Sequence, residues 1–248
     1  PDLINNVESV GGLVVQPRGT FITSRRIAIN SSLTTALGVA KQITSITQDG
    51  ILSLEIANGH MVRMGDTLKY IRDRFGQAVS IWAGTVATPE GVEYLAQSGA
   101  DTAIVGIGVG AVCTTTKKTG VGYPMLQTIL DCADCSIPIV SAGGIREAGD
   151  FVKAIAAGAD GVMIGRLLAG CSDTYDVHRY WGMASEMERP EGNHIEGISI
   201  QPILRQQTSK DVIRFLTEAL QSAMSYSDSY TLDEFRTKAK FVEVSRGY

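Results

Sequence analysis

Seven short valine- and isoleucine-rich runs, helical stretches between them and glycine-rich segments after them predict an α/β fold, a (β/α)8 barrel. The expected strands are Leu13–Val15, Ile27–Asn30, Ile51–Ile56, Val79–Ala83, Thr102–Val105, Ile137–Ser141 and Gly161–Ile164. Their continuous apolar character suits a parallel sheet covered by helices. After Thr34, residues Ala36, Val39, Ile43 and Ile46 share one face of an amphipathic helix. A second helix opens at Thr88 with Pro89 in its first turn and stops at Gly99. A third runs from Asp150 to Ala157 and closes at Gly158. Near the end, Ser209 is expected to cap a helix carrying Val212, Ile213, Leu216 and Leu220, and Thr231-x-x-Glu234 reads as a capping box. A flat, doubly wound nucleotide-binding sheet is the alternative. The polar and glycine-rich segments argue against it: Asn58-Gly59-His60, Gly84-Thr85, the loop around Cys113, Gly143-Gly144 and Gly165-Arg166 all follow strands. In a barrel the chemistry sits at those strand ends.

At 248 residues, 44% of them hydrophobic, the chain is read as one barrel domain over 1–248. A net charge of −4, with no long run of either sign, argues against a nucleic-acid surface. The sequence carries no apolar stretch of membrane-spanning length and no secretory leader, which points to the cytoplasm and away from a membrane. It opens at Pro1 rather than Met, so residues before Pro1 are expected in the natural protein.

The four cysteines divide by context. Cys113 lies in Gly-Ile-Gly-Val-Gly-Ala-Val-Cys-Thr-Thr-Thr-Lys-Lys-Thr-Gly-Val-Gly-Tyr-Pro, residues 106–124. Glycines there let the backbone turn sharply and approach a ligand, and a thiolate on an exposed loop beyond a strand is a nucleophile. A small packing cysteine is the competing reading; the glycines, the threonines and Lys117-Lys118 favour the nucleophile. Cys132 and Cys135 form a lone C-x-x-C at a helix-like stretch from Met125 to Ala133. With His60, His178 and His194 scattered, that pair lacks the second ligand pair a zinc site requires. Cys171 is read as packing.

The Cys113 loop resembles that of the IMP dehydrogenase and GMP reductase family. Further segments resemble the family's strand ends: Ile56-Ala57-Asn58-Gly59-His60, Ala83-Gly84-Thr85-Val86-Ala87-Thr88, Ser141-Ala142-Gly143-Gly144-Ile145 and Gly161-Val162-Met163-Ile164-Gly165. Tyr180-Trp181-Gly182-Met183-Ala184-Ser185 resembles its base-contacting segment, and similarity runs from about Gly11 to Val244. The resemblance implies that the Cys113 thiolate attacks C2 of a purine nucleotide monophosphate. Residues 115–124 and Glu186, directly after Gly-Met-Ala-Ser, lean toward the reductase, as does the lack of an Arg-Tyr pair between Met187 and Glu196. In that direction ammonia leaves GMP to give a covalent thioimidate, NADPH delivers hydride to C2 and IMP is released.

By the same resemblance, Cys113, Thr115 and Glu186 are catalytic, the last two protonating the leaving amine. Gly143, Gly144, Gly165, Arg166, Tyr180, Gly182 and Met183 would bind the nucleotide. Glu55, Asn58 and Gly59 lie on the cofactor side. Carbonyls of Gly108, Gly110 and Cys113 would hold a monovalent cation such as K+. The family also implies a homotetramer. The alternatives are an NAD-dependent IMP dehydrogenase, converting IMP to XMP, and a nucleotide-binding paralogue with little turnover.

Several positions depart from the family pattern. Ala142 stands where an aspartate grips the ribose hydroxyls, a loss of about 1.5–3 kcal/mol for a charged acceptor. Ala111 replaces a phosphate-binding serine, Thr85 an asparagine, Val109 a proline, Thr116 an arginine and Glu55 an aspartate. Arg166 replaces a small residue beside the phosphate, where a guanidinium can bind an anion by two parallel hydrogen bonds. The first strand is not recognisable before Leu13, and the links Gln16 to Arg26, Ser172 to Arg179 and Glu188 to His194 are short for the family. Loop segments are therefore expected to be absent from this numbering; an intact mass close to 26.5 kDa would overturn that reading.

Overall fold

A computed structural model describes residues 2–11, 13–16, 28–31, 35–46, 50–188 and 194–245. In chain order the elements are α1 (Asp2–Glu8), β1 (Val15–Gln16), β2 (Ala28–Ser31), α2 (Ala36–Ile46), β3 (Ile51–Glu55), α3 (Val62–Phe75), β4 (Ser80–Val86), α4 (Pro89–Gln97) and β5 (Thr102–Val105). There follow α5 (Thr115–Thr119), α6 (Met125–Cys132), β6 (Ile139–Ala142), α7 (Ala148–Ala156), β7 (Gly161–Met163), β8 (Tyr180–Trp181), β9 (Ser199–Ile200), α8 (Ser209–Tyr226) and α9 (Leu232–Lys238). Strands β1 to β7 pair in parallel and in sequence order, while β8 and β9 form a separate antiparallel pair. Sequential parallel strands with helices between them are the α/β-barrel arrangement expected from the sequence. Among the described residues the sheet has seven strands, one fewer than a closed eight-stranded barrel.

The two sheet faces differ in chemistry. Leu52, Leu54, Ile81, Ala83, Ala103, Val105 and Ile139 point toward the helices, where Met64, Leu68, Ile71, Val92 and Leu95 complete the main core. On the opposite face, register places Ser53 beside Trp82, Glu55 beside Gly84, and Ile104 beside both Gly84 and Val140. Side chains two residues apart share a face, so Glu55 and Ser53 lie together inside, with the Ser53 hydroxyl donating to Glu55 Oε1 at 3.0 Å. A recurring device locks neighbouring strands. Asp101, just before β5, accepts from the Ile81 amide at 2.7 Å, and Asp160, just before β7, accepts from the Ile139 amide at 2.9 Å.

Most expected elements stand within a few residues of their sequence-derived bounds. The Thr88 hydroxyl accepts from the Gly91 amide as an N-cap. The cap of α8 moves by one: Thr208, not Ser209, accepts from the Asp211 amide, and Asp211 returns a bond to the Thr208 amide. Ser209 instead donates from both its amide and its hydroxyl to Asp173, at 2.9 and 2.6 Å. Asn6 on α1 donates to the same carboxylate, so Asp173 joins the first helix to the last long one. At α9 the Thr231 hydroxyl accepts from the Glu234 amide, whereas the Glu234 carboxylate accepts from Tyr230, one residue before the cap. Ile27, Thr34, most of the link from Gln16 to Arg26, residues 189–193 and the side chains of Ile43 and Ile46 lie outside the described residues. Among the described residues no helix is long and apolar enough to cross a membrane.

Candidate active site

Strand β5 delivers the Cys113 loop to the carboxyl end of the sheet. The loop turns back through a bond from the Cys113 amide to the Gly110 carbonyl at 3.1 Å. Cys113 then pairs as a one-residue antiparallel bridge with Gly197. Flanking bonds run from the Thr114 amide to Glu196 O at 2.7 Å and from the Ile198 amide to Val112 O at 2.9 Å. Residues 196–198 are held in turn by the Gly182–Ser185 turn, with Gly182 donating to Ile198 O and Glu196 donating to Ala184 O. Lys118 Nζ adds a bond to Ile195 O. Three distant segments therefore meet around one half-buried thiol.

The side chains form a continuous polar line. Cys113 Sγ donates to Thr115 Oγ1 at 3.2 Å, and the Thr115 hydroxyl donates to Glu196 Oε2 at 2.7 Å. His194 Nε2 lies 3.4 Å from the other carboxylate oxygen, Oε1. A sulfur, a hydroxyl and a carboxylate in hydrogen-bonded series can move a proton to or from whatever reacts at the sulfur. Glu186 is exposed on the turn following the Gly182–Ser185 segment, and among the described residues the Thr115 hydroxyl donates to Glu196. Sequence reading passed over Glu196. Its one signal is the polar–apolar alternation of His194-Ile195-Glu196, a strand-like pattern long after the barrel strands.

Two of the expected nucleotide-binding residues, Gly143 and Gly182, pack against the Cys113 loop. A Cβ at Gly143 would sit 3.0 Å from the Gly110 amide nitrogen, so the end of β6 packs directly against the Cys113 loop. One at Gly182 would sit 3.1 Å from Val112 O. One at Gly165 would come within 2.7 Å of the Tyr180 hydroxyl, which places Tyr180 over the end of β7 beside Arg166. Burial pushes the Tyr180 phenol up, and the nearby Arg166 guanidinium pulls the other way. A guanidinium beside a protonated phenol offers hydrogen-bond donors to an anion. Met183 is half exposed nearby.

Glu55, the last residue of β3, and Asn58 and Gly59 just after it, all expected on the cofactor side, sit against β4. The Gly59 amide donates to Thr85 O at 2.7 Å, the Thr85 hydroxyl donates to Ile56 O at 3.0 Å, and Asn58 Oδ1 accepts from the His60 amide at 3.0 Å. The rings of His60 and Tyr94 lie 4.9 Å apart. They border an open cleft of about 450 Å³ that Pro89, Glu90, Glu93 and Gln97 complete. The cleft shares no residue with the Cys113 loop and is separate from the thiol's own site.

The other cysteines stand apart from this chemistry. Cys132 is fully buried, and burial, reinforced by Cys135 and Asp131, pushes its thiol up to about 12. Burial and Glu93 also raise Cys135. Among the described residues no three His, Cys, Asp or Glu side chains gather as a metal-ligand set.

The profile of the IMP dehydrogenase / GMP reductase domain matches residues 17–247. The chain belongs to this family. It is 36% identical over 253 residues to the GMP reductase of Onchocerca volvulus, covering 89% of this chain and 69% of that protein. Human GMP reductase 2 is 37% identical over 224 residues, covering 82% of this chain and 64% of that protein. The inosine-5'-monophosphate dehydrogenase of Aquifex aeolicus is 33% identical over 248 residues, covering 89% of this chain but 50% of that protein. Among solved structures, the inosine 5'-monophosphate dehydrogenase of Legionella pneumophila superposes with a TM-score of 0.81 at 31% identity. That match covers 98% of this chain and 83% of the other. This member of the family therefore spans about half to two thirds of the curated relatives' length.

Proposed function

We propose that this domain catalyses NADPH-dependent reductive deamination of GMP to IMP through a cysteine thioimidate. The observation that carries the reading is the line Cys113–Thr115–Glu196, set on a loop that packs against the glycines ending β6. The Cys113 thiolate adds to C2 of the guanine. The C2–N bond then breaks as the amine takes a proton along the Thr115–Glu196 pair and leaves as ammonia, with C2 bonded to sulfur. When bound, NADPH supplies the hydride that C2 takes up as the C–S bond breaks and the thiolate is released. Gly143, Gly144 and Gly165 with Arg166 and Tyr180 hold the phosphate, Gly182 and Met183 the base edge, and Glu55, Asn58 and Gly59 the cofactor side. Residues 1–248 act as one barrel domain, cytoplasmic and assembled as a homotetramer.

Ala142 ends β6 opposite Met163 and offers only a methyl group to the sugar. GMP and dGMP are accordingly expected to differ by less than about threefold in kcat/KM, since no charged acceptor at this position separates them. NADPH oxidation with GMP, repeated on Cys113→Ala, tests the central reading. Turnover in wild type and none in the variant upholds it. NAD reduction by IMP would favour the dehydrogenase direction, a reading supported by the relatives that bear that name. Silence in both assays with a GMP-induced thermal shift would indicate a binding protein.

A further inference from the structure

Cys132 ends α6, and Cys135 follows it within one tight turn. The Cys135 amide donates to Cys132 O at 3.2 Å. A bond of this kind, from residue i+3 back to residue i, holds the two Cα atoms within about 7 Å. A disulfide spans Cα atoms about 4.4–6.8 Å apart. Neighbours pin the turn on both sides. Between the cysteines, Ala133 packs on Gly158, where an added Cβ would fall 2.5 Å from the Ala133 Cβ. Just after them, the Ser136 amide and hydroxyl both donate to the Glu93 carboxylate at 2.7 Å.

The two side chains meet but differ in access. The thiols are in hydrogen-bonding contact with each other, and Cys135 also meets the Glu93 carboxylate. Cys132 is fully buried, whereas Cys135 is half-buried. Pro89, whose carbonyl lies 4.0 Å from Cys135 Sγ, and Glu93 both line the open cleft of about 450 Å³ beside His60 and Tyr94. A reagent in that cleft reaches Cys135 before Cys132. Burial raises both thiols, with Cys135, Asp131 and Glu90 adding to it at Cys132, and Glu93 and Asp134 at Cys135. A dithiol whose ionised form is disfavoured gives a disulfide that resists reduction once made.

We propose that Cys132 and Cys135 form a reversible dithiol–disulfide site, oxidised by exchange with a small disulfide that enters through this cleft. The Cys135 thiolate attacks one sulfur of the reagent; the reagent's S–S bond breaks, a mixed disulfide forms and one thiolate leaves. The Cys132 thiolate then attacks the Cys135 sulfur, forming the bond within the protein and releasing the second thiolate. The two protons given up by the cysteines end on the two released thiols. The pair loses two electrons and the reagent gains them. Cys135 is the attacking sulfur because it is reached first, and Cys132 closes the ring from inside the core without meeting the reagent. The site is separate from Cys113 and does not rest on the proposed reaction.

The experiment exposes the reduced full chain to 2-hydroxyethyl disulfide, which is uncharged and so is not repelled by the carboxylates of the cleft. Mildly alkaline pH supplies thiolate. The sample is then unfolded in the presence of iodoacetamide and digested with trypsin without reduction. Cys132 and Cys135 fall together on residues 119–146, apart from Cys113 and Cys171. In wild type this peptide is expected to lose both alkylation sites together and to weigh two hydrogens less. That form should exceed the singly blocked one by about tenfold, because closure within one turn outruns a second encounter. Dithiothreitol should restore both sites. Cys132→Ser is expected to stop at a mercaptoethanol adduct on Cys135, and Cys135→Ser to leave Cys132 free. Wild type that accumulates the Cys135 adduct with Cys132 free, or that keeps both thiols alkylated after exposure, overturns the proposal. So does a Cys135→Ser protein whose Cys132 exchanges as fast as the wild-type pair. If Cys132→Ser fails to fold, wild type and Cys135→Ser decide alone.

Discussion

Cys113 and Cys132 belong to one βα unit, the first on the loop after β5 and the second at the end of α6, yet their surroundings are opposite. Cys113 is half-buried, donates to a hydroxyl at 3.2 Å, and reaches a carboxylate one bond farther on. Cys132 is sealed in the core, and burial together with Cys135 and Asp131 drives its thiol up to about 12. On the proposed reaction, nucleophilic character is not a property of the cysteine but of what shares its space. Apolar packing and neighbouring acids keep one sulfur protonated, while a polar line offers the other a route for its proton.

The largest test of this contrast is to remove each sulfur in turn. Cys113→Ala should lower kcat for NADPH oxidation with GMP by about 10³-fold or more, whereas Cys132→Ala should stay within about twofold. Steady-state assays on purified variants measure both, and equal losses would dissolve the distinction. Next comes the carboxylate. Glu196→Gln should cost about 10²-fold in kcat, in the range of one general acid, with Glu186→Gln close to wild type. The reverse outcome would return the acid's role to Glu186.

Smaller effects sharpen the comparison. Under limiting iodoacetamide at neutral pH, Cys113 should be modified about tenfold faster than Cys132, as exposure and thiolate availability dictate; peptide mapping reads the ratio. The smallest effect is on stability. Cys132→Ala should lower stability by about 1–2 kcal/mol through lost core packing, read as a drop in melting temperature. The Cys132 thiol also sets an alkaline limb. Its folded value lies above the ordinary 9.0, so its contribution is complete below 9.0 and is lost as pH rises toward about 12. Melting curves across that window should fall less steeply for Cys132→Ala than for wild type.

Much of this was legible from local pattern. The run Thr102–Val105 followed by spaced glycines places Cys113 at a strand end, and β5 and its loop lie there. The isolated C-x-x-C reads as lacking metal partners because its histidines are far away in sequence. The carboxylate partner was not legible. Glu186 is attractive by position after Gly-Met-Ala-Ser, but Glu196 wins the contact because residues 196–198 pair with 112–114, a tertiary event with no local code. The placement of the Thr116 hydroxyl near the Val121 and Gly108 carbonyls was hidden for a similar reason: it depends on a left-handed Gly108 and on the chain returning at Gly122. The α8 cap was misplaced by one residue because Ser209 and Thr208 are both good caps, and Asp173 claims the serine.

The bond between Thr115 and Glu196 spans 81 residues of chain. During synthesis at about 5–20 residues per second, that separation is a delay of roughly 4–16 s between the emergence of Cys113 and that of its relay. The nascent chain thus carries the Cys113 sulfur without its carboxylate partner until well after strand β7 has been made. A chain cut short before residue 196 would retain the sulfur, the glycine loop and the strand ends proposed to hold phosphate, and would still lack the carboxylate that Thr115 contacts. On the proposed reaction, the clasp at Gly197 would make turnover depend on synthesis having passed residue 197.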